Sequence, residues 1–214
     1  SARVGNLLSN EYEWERMADV YIVLDSTRSS KHFSTDYIKM CASIGDYFLR
    51  LGNRVGLVAI GKFWTWVRSG SGRKQLIRLV DNLIDERPDE PISFDFQADS
   101  TLRVIPQTSA IILLSPMRDH RIRQLCENLV ERRQRVLAMI PTTDASYLKT
   151  TQRDPPWVTA TKKLVRLERE NASMFLKRVG VAAIEWDPKL PLAMTMEAVG
   201  RWLGRTLIPM SQTS

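Results

Sequence analysis

The chain is poor in the residues that build metal clusters and disulfide frameworks. It has two cysteines and two histidines among its 214 residues. Cys41 and Cys126 fall at apolar positions of predicted helices, which is typical of reduced, buried thiols in a cytosolic domain. Neither His32 nor His120 has a cysteine or histidine neighbour at ligand spacing. The sequence therefore argues against a zinc site and against a disulfide-stabilised fold.

Catalytic motifs are missing as well. The sequence contains no Gly-x-Ser-x-Gly elbow and no His-Glu-x-x-His helix, which would mark serine hydrolases and zinc proteases. The turn 70–74 lacks the spacing of a Walker loop, although a helix start of this kind can hold an anion. We therefore predict that the chain is not an enzyme, that it takes no nucleotide and that it has no small-molecule substrate.

A long apolar run is also absent from the sequence. No stretch approaches the ~20 apolar residues that are needed to cross a bilayer. The polar start Ser1-Ala2-Arg3 does not have the form of a signal peptide. Any attachment to a membrane is therefore expected to depend on regions outside this chain.

Positive charge is in excess. The chain has 31 lysines and arginines against 24 acidic residues, a net charge of +7. This excess suits a soluble surface, an acidic protein partner, anionic lipid or nucleic acid. One alternative function is therefore a basic nucleic-acid-binding module, in which Trp64 and Trp66, on one face of an edge strand, would stack on bases. No recognised nucleic-acid motif accompanies the two tryptophans, and such a pair also serves to cover a helix.

Strands and helices alternate almost throughout, which predicts a Rossmann-like α/β fold. We expect an open, mostly parallel sheet with one antiparallel edge strand and helices on both faces. The predicted strands are 19–25, 54–60, 63–67, 110–114, 135–140 and 181–186, and the predicted helices are about 34–51, 73–86, 119–133, 158–179 and 191–207. A single domain is predicted over 19–207, with a lead-in segment 1–18 and a frayed tail 208–214.

The first strand carries the most informative pattern. Five apolar residues, 20–24, predict a strand that is buried on both faces. The strand ends at Asp25, and hydroxyls follow at Thr27 and Ser29. Ligands of open α/β sheets bind outside the carboxyl ends of the strands, and a hard cation such as Mg²⁺ prefers oxygen ligands. The pattern therefore points to a binding site at this edge of the sheet.

The segment 25–29 resembles the first loop of the metal-ion-dependent adhesion site of von Willebrand factor A domains. The likeness extends to a narrower family. The lead-in residues 1–15 and the stretch 53–76 resemble the bacterial and archaeal domain-of-unknown-function family numbered fifty-eight, and the likeness covers about residues 1–140. The resemblance implies a von Willebrand factor A-like fold.

That resemblance also implies a cation, Mg²⁺ or Mn²⁺, shared by three loops. Asp25, Thr27 and Ser29 match the first loop, whereas the second and third loops have only imperfect candidates, Ser93 and Asp119. Asp119 comes three residues late, because Ser-Pro stands where the family pattern has Ser-Asp. We therefore predict a degenerate metal site. The alternative is that Asp25 accepts backbone N–H bonds from its own loop and caps the first helix, and that Asp119 caps the helix that follows it.

Family members of this kind are often encoded beside MoxR-type AAA ATPases, and many carry N-terminal membrane helices. The resemblance thus implies a protein-interaction adaptor that assists such an ATPase. It would lie in the cytoplasm on the inner face of a membrane, attached through a segment outside this sequence. The partner-binding residues predicted for it are Arg28, Trp64, Trp66 and Arg118.

Overall fold

The fold is built from six strands and six helices in the described part of the chain, and these alternate except where two strands and then two helices follow each other. The computed structural model describes residues 19–27, 34–61, 64–84, 98–142, 156–187 and 192–207. The strands are β1 (Asp19–Asp25), β2 (Arg54–Ile60), β3 (Trp64–Gly70), β4 (Ala110–Leu114), β5 (Arg135–Pro141) and β6 (Ala182–Trp186). The helices are α1 (Ser34–Arg50), α2 (Gly72–Ile84), α3 (Ala98–Val104), α4 (His120–Glu131), α5 (Pro156–Val179) and α6 (Leu192–Leu207).

The strands form one sheet in the order β3-β2-β1-β4-β5-β6. Every neighbouring pair is parallel except β2 and β3, which are antiparallel. The predicted fold class is confirmed, including the antiparallel strand at the edge. From β1 the chain adds β2 and β3 on one side, and it then crosses over to add β4, β5 and β6 on the other.

Two apolar cores cover the two faces of the sheet. Helices α1, α2 and α6 pack on one face, and helices α3, α4 and α5 pack on the other. Alternate residues of β1 enter the two cores, with Ile22 and Leu24 in the first and Tyr21 and Val23 in the second. Because both faces of β1 are covered, its sequence is a continuous apolar run and does not alternate with polar residues.

Strand β3 continues to Gly70, three residues beyond its predicted end. Its pairing with β2 shifts register between Val55 and Leu57, where two residues of β3 lie opposite one residue of β2. The Ser69 N–H at this bulge donates to the Tyr21 hydroxyl at 3.2 Å. A side chain of the central strand thus satisfies a backbone donor of the edge strand, a contact that sequence periodicity does not reveal.

Gln75, in the first turns of α2, completes the bulge from the other side. Its Nε2 donates to the carbonyl oxygens of Val55 and Arg68, at 2.8 Å each. The side chain is buried, and these two bonds satisfy carbonyl groups that the irregular pairing leaves. The turn 70–74, whose sequence suits an anion site, connects β3 to α2. The first buried side chain of α2 is Gln75, and it binds the backbone of β3.

Gly56 leaves the space that the Tyr21 ring occupies. A Cβ at this position would lie 2.5 Å from Tyr21 Cε1, so the ring would have to move away from Ser69. We expect Gly56→Ala to lower the free energy of unfolding by about 2 kcal/mol, measured by urea denaturation. Gly45→Ala is the control, because its Cβ would meet only side-chain ends, those of Leu79 at 3.2 Å and Ile22 at 4.0 Å. Equal effects at the two glycines would contradict this assignment.

Several predictions fall on residues outside the described part of the chain. These are the lead-in 1–18, the tail 208–214 and the site candidates Arg28, Ser29 and Ser93. The domain limits of 19–207 therefore remain a prediction.

Candidate binding site at the carboxyl edge of the sheet

Asp25 and Ser115 meet at the carboxyl edge of the sheet, between the ends of two parallel strands. Asp25 is the last residue of β1, and Ser115 directly follows β4. Strands β1 and β4 are neighbours, and the connections from them leave in opposite directions along the sheet. This is the topological switch point at which open α/β sheets bind their ligands. We call Asp25, Thr27 and Ser115 the switch-point cluster.

The Asp25 carboxylate accepts three hydrogen bonds within the described residues. Thr27 donates to Oδ1 through its backbone N–H at 3.0 Å and through its hydroxyl at 2.6 Å. Ser115 donates its hydroxyl proton to Oδ2 at 2.6 Å. Only 1% of Asp25 is exposed. The carboxylate is therefore enclosed by neutral donors from two loops, and it ties the loop after β1 to the loop after β4.

The loop between β4 and α4 is held in an unusual backbone conformation. Met117 has a φ of 57°, a left-handed value that non-glycine residues rarely adopt. Its N–H donates to Ser115 Oγ at 2.9 Å, and its carbonyl accepts from Arg123 Nε at 2.6 Å. The bond from Met117 occupies a lone pair of Ser115, which leaves the hydroxyl proton for Asp25. The conformation of the loop between β4 and α4 and the position of the Asp25 carboxylate therefore depend on each other.

Burial governs the electrostatics of this edge. It raises the pKa of Asp25 above the ordinary aspartate value, although the hydrogen bonds from Ser115 and Thr27 oppose the shift. The nearby charge of Asp119 raises this pKa further. Burial also raises the pKa of Tyr37 well above that of free tyrosine, and the charge of Asp25 adds to the effect. Tyr37 thus remains protonated close to a buried carboxylate.

Asp119 caps helix α4. Its Oδ1 accepts the Arg121 N–H at 2.9 Å. The same carboxylate forms a two-point ion pair with the Arg121 guanidinium, at 3.0 and 2.6 Å. Burial alone would raise the pKa of Asp119, but the bonds from Arg121 outweigh it and lower the pKa. The alternative prediction from the sequence, that Asp119 caps this helix, is confirmed.

Arg118 lies in the same loop and joins it to helix α5. Its Nε is 2.9 Å from Glu168 Oε2, and its side chain is about one quarter exposed, at 23%. The predicted partner-binding arginine is thus positioned at the carboxyl edge by an ion pair to a neighbouring helix.

The side-chain oxygens of the described residues are the possible ligands for a cation at this edge. Asp25, Thr27 and Ser115 offer oxygens, but each oxygen already takes part in a hydrogen bond. Asp119 is engaged by Arg121, and no group of three or more histidine, cysteine or acidic residues with metal-ligand spacing occurs in the described segments. These donors fit a hydrogen-bonded carboxylate and do not fit a closed metal site. The predicted ligands Ser29 and Ser93 lie outside the described residues, so the metal role of the five predicted ligands stays a prediction.

Trp64 and Trp66 lie on the same side of β3, as strand alternation predicts. Their rings stack with centroids 6.5 Å apart. Trp64 packs on the core under α3 and donates its indole N–H to Thr101 Oγ1 at 3.1 Å, whereas Trp66 is 42% exposed. The pair therefore supports α3 through one ring and presents the other to solvent.

Ser115 and Tyr37 were not predicted as part of the site. Ser115 is the serine of the Ser-Pro pair that departs from the family pattern. A usable signal existed for Ser115, because it is the first polar residue that follows the apolar run of β4, as Asp25 follows the apolar run of β1. Tyr37 gave no such signal, since its position in the helix is indistinguishable from that of a core residue.

The comparison with protein families agrees with this geometry. The family described as Protein of unknown function DUF58 matches residues 1–144. The chain belongs to the DUF58 family. The resemblance seen in the sequence is thereby confirmed. No curated protein matches the chain.

Solved structures share the fold at low sequence identity. The protein BatB from Bacteroides thetaiotaomicron superposes with a TM-score of 0.57 and 12% identity, over 88% of this chain and 98% of that one. An aerotolerance-related membrane protein from Bacteroides fragilis, carrying multiple mutations to serine, gives 0.55 and 11%, over 88% and 99%. The pilus adhesin SpaC from Lactobacillus rhamnosus GG gives 0.53 and 9%, over 89% and 30%. These likenesses concern the fold.

No helix among the described residues of this DUF58 chain combines the length and the apolarity needed to span a membrane.

Proposed function

We propose that this DUF58 chain is a protein-interaction domain and that it binds its partner at the carboxyl edge around the switch-point cluster. One observation carries the proposal. A fully buried carboxylate sits at the switch point, although burial disfavours its ionised form. Groups that are held at the expense of stability concentrate at functional sites.

Asp25 acts in this proposal as a positioning residue. Its bonds to Thr27 and Ser115 fix two loops, and the second loop carries Arg118. A partner would contact those loops, and their shape depends on a charged acceptor at position 25. The net charge of +7 favours an acidic surface on the partner.

The partner we propose is a MoxR-type AAA ATPase, as the family resemblance implies. The domain would act as its adaptor on the cytoplasmic face of a membrane. The described donors favour a contact that needs no resident cation.

Capture of a MoxR-type ATPase from the same genome tests this proposal. The purified chain is immobilised, and binding is measured for the wild type, for Asp25→Asn and for Asp81→Asn, an exposed carboxylate on α2. We expect Asp25→Asn to weaken capture at least tenfold, about 1.4 kcal/mol. The amide cannot accept the Ser115 proton, so the loop that carries Arg118 loses its anchor. Asp81→Asn should bind like the wild type.

The same assay separates the two possible roles of a cation. Capture that persists in EDTA and falls with Asp25→Asn supports an interface fixed by hydrogen bonds. Capture that requires added Mg²⁺ or Mn²⁺ would instead support the cation implied by the resemblance. Equal capture by the wild type and Asp25→Asn would contradict the proposed site.

A further inference from the structure

Helix α5 carries an apolar stripe on the side that faces solvent. Four large side chains of this stripe, those of Trp157, Leu164, Leu167 and Met174, are 47–63% exposed. A different side of the helix faces the domain, where Ala172 and Leu176 belong to the core and Val158 is buried. Single exposed apolar residues are common on proteins, but a continuous row of them marks an interaction surface.

The spacing of the stripe is that of a coiled-coil seam. The exposed positions 157, 160, 164, 167, 171 and 174 are separated alternately by three and four residues. This is the a/d pattern by which one helix packs against another, with Ala160 and Asn171 as the smaller members. The seam ends there, because the next position is Arg178, which folds over Phe175 and reaches Glu127.

We infer that the occupant of this seam is α5 of a second copy of the chain, packed antiparallel across a two-fold axis. The seam is self-complementary in this direction. Trp157 faces Met174 of the second copy, Ala160 faces Asn171, and Leu164 faces Leu167. Each layer combines an a position with a d position, as antiparallel helix pairs require. At the two ends of the seam the large Trp157 packs against the flexible Met174. Next to them, the small Ala160 leaves room for the side-chain amide of Asn171.

The flanking charges match the same register. Lys163 and Glu170 are exposed beside the seam, and the antiparallel register places Lys163 opposite Glu170 of the second copy, twice across the axis. Within one copy Glu170 pairs with the exposed Arg166 at 3.0 Å. The other flank belongs to the domain itself, since Glu168 holds Arg118 and Phe175 is buried. The free flank therefore carries complementary charges, which supports an isologous contact.

A parallel pair fits less well. It would stack Trp157 on its own copy and Asn171 on its own copy, and it would bring Lys163 towards Glu168, which already holds Arg118. The antiparallel arrangement instead pairs Lys163 with Glu170, and both of these side chains lie on the exposed flank of the seam.

Sedimentation of the full chain tests the dimer. We expect the wild type to be a dimer at tens of micromolar and Leu164→Glu to raise the dissociation constant at least tenfold. The far-ultraviolet spectrum and the melting temperature of the variant should stay those of the wild-type monomer, because position 164 lies outside the core. A wild type that is monomeric at all concentrations overturns the inference. A dimer that survives Leu164→Glu overturns it as well.

Charge reversal tests the register. Lys163→Glu places two acidic groups opposite each other and should weaken the dimer several-fold, and the double variant Lys163→Glu with Glu170→Lys should restore it. Lys177→Glu is the matched control, because position 177 faces the uncharged Pro156 of the second copy. Equal weakening by the changes at 163 and 177 would overturn the register, and so would a failure of the double variant to recover.

Disulfide trapping tests the orientation. Cys41 and Cys126 are buried, and burial raises the pKa of the Cys126 thiol to about 12, so neither competes. An equimolar mixture of Leu164→Cys and Leu167→Cys chains should cross-link under mild oxidation, whereas each variant alone should not. Positions three residues apart are offset by about 4.5 Å along the axis. Cross-linking of Leu164→Cys with itself would show a parallel pair and overturn the antiparallel one.

Discussion

Replacement of Ser115 by alanine is expected to lower the free energy of unfolding by about 3 kcal/mol at neutral pH. The substitution removes the hydroxyl that donates to Asp25 Oδ2 at 2.6 Å, inside a site where the carboxylate is buried. It also removes the acceptor of the Met117 N–H. Loss of a hydrogen bond to a buried carboxyl group costs more than loss of a bond between exposed groups. Denaturation by urea measures the loss.

Ser109→Ala is the matched control for this prediction. Ser109 precedes β4 as Ser115 follows it, and both side chains are buried. Among the described residues the Ser109 hydroxyl has no hydrogen-bond partner, so its removal should change stability by less than about 0.5 kcal/mol. A loss at Ser115 no larger than that at Ser109 would show that the bond to Asp25 contributes nothing.

Asp25→Asn is expected to act in the opposite direction and to stabilise the domain by about 1 kcal/mol at neutral pH. The amide retains an oxygen that accepts both bonds from Thr27, and it removes a charge from a fully buried position. The same variant should lose partner capture. Higher stability together with lost binding is the signature of a residue that is kept for function.

The pH dependence of this effect follows from the raised pKa of Asp25. Burial raises it above the ordinary value of 3.8, so between the two values the folded state binds more protons than the unfolded state. The wild type therefore loses stability as pH rises through this window, and the penalty is complete above the folded pKa. The advantage of Asp25→Asn should be full above the folded pKa of Asp25 and should vanish below pH 3.8, the ordinary value.

Urea denaturation of both proteins across this range checks the prediction. If the hydrogen bonds that Asp25 accepts outweighed the cost of burying its charge, Asp25→Asn would lower stability at neutral pH. The difference between the proteins would then have the opposite sign.

The central part of the fold followed from sequence patterns alone. The apolar run before Asp25 could form only a strand covered on both faces, and the alternation of elements required crossovers around it. The position of Asp25 at the switch point is a consequence of those two features. The C-terminal ends of two helices could also be predicted, because glycine is favoured directly after a helix. Gly52 and Gly180 have the positive φ values that this position requires.

Contacts between distant segments were not accessible. Ser115 lies 90 residues from Asp25, and the Tyr21 hydroxyl that completes the β3 bulge is 48 residues from Ser69. Neither contact produces a periodic pattern in the sequence, because each depends on a single side chain that reaches a residue of another strand. The seam of α5 was present in the sequence as spacing, but only the structure shows that it faces solvent.

Hydrogen exchange of the chain, alone and bound to a MoxR-type ATPase, tests the proposed interface most directly. Binding at the carboxyl edge should slow exchange at Thr27 and at residues 117–119 on either side of the switch point. The exposed stripe of α5 should exchange as it does in the unbound protein. Protection confined to α5 or to other surfaces, with Thr27 and 117–119 unchanged, would contradict the proposed binding site.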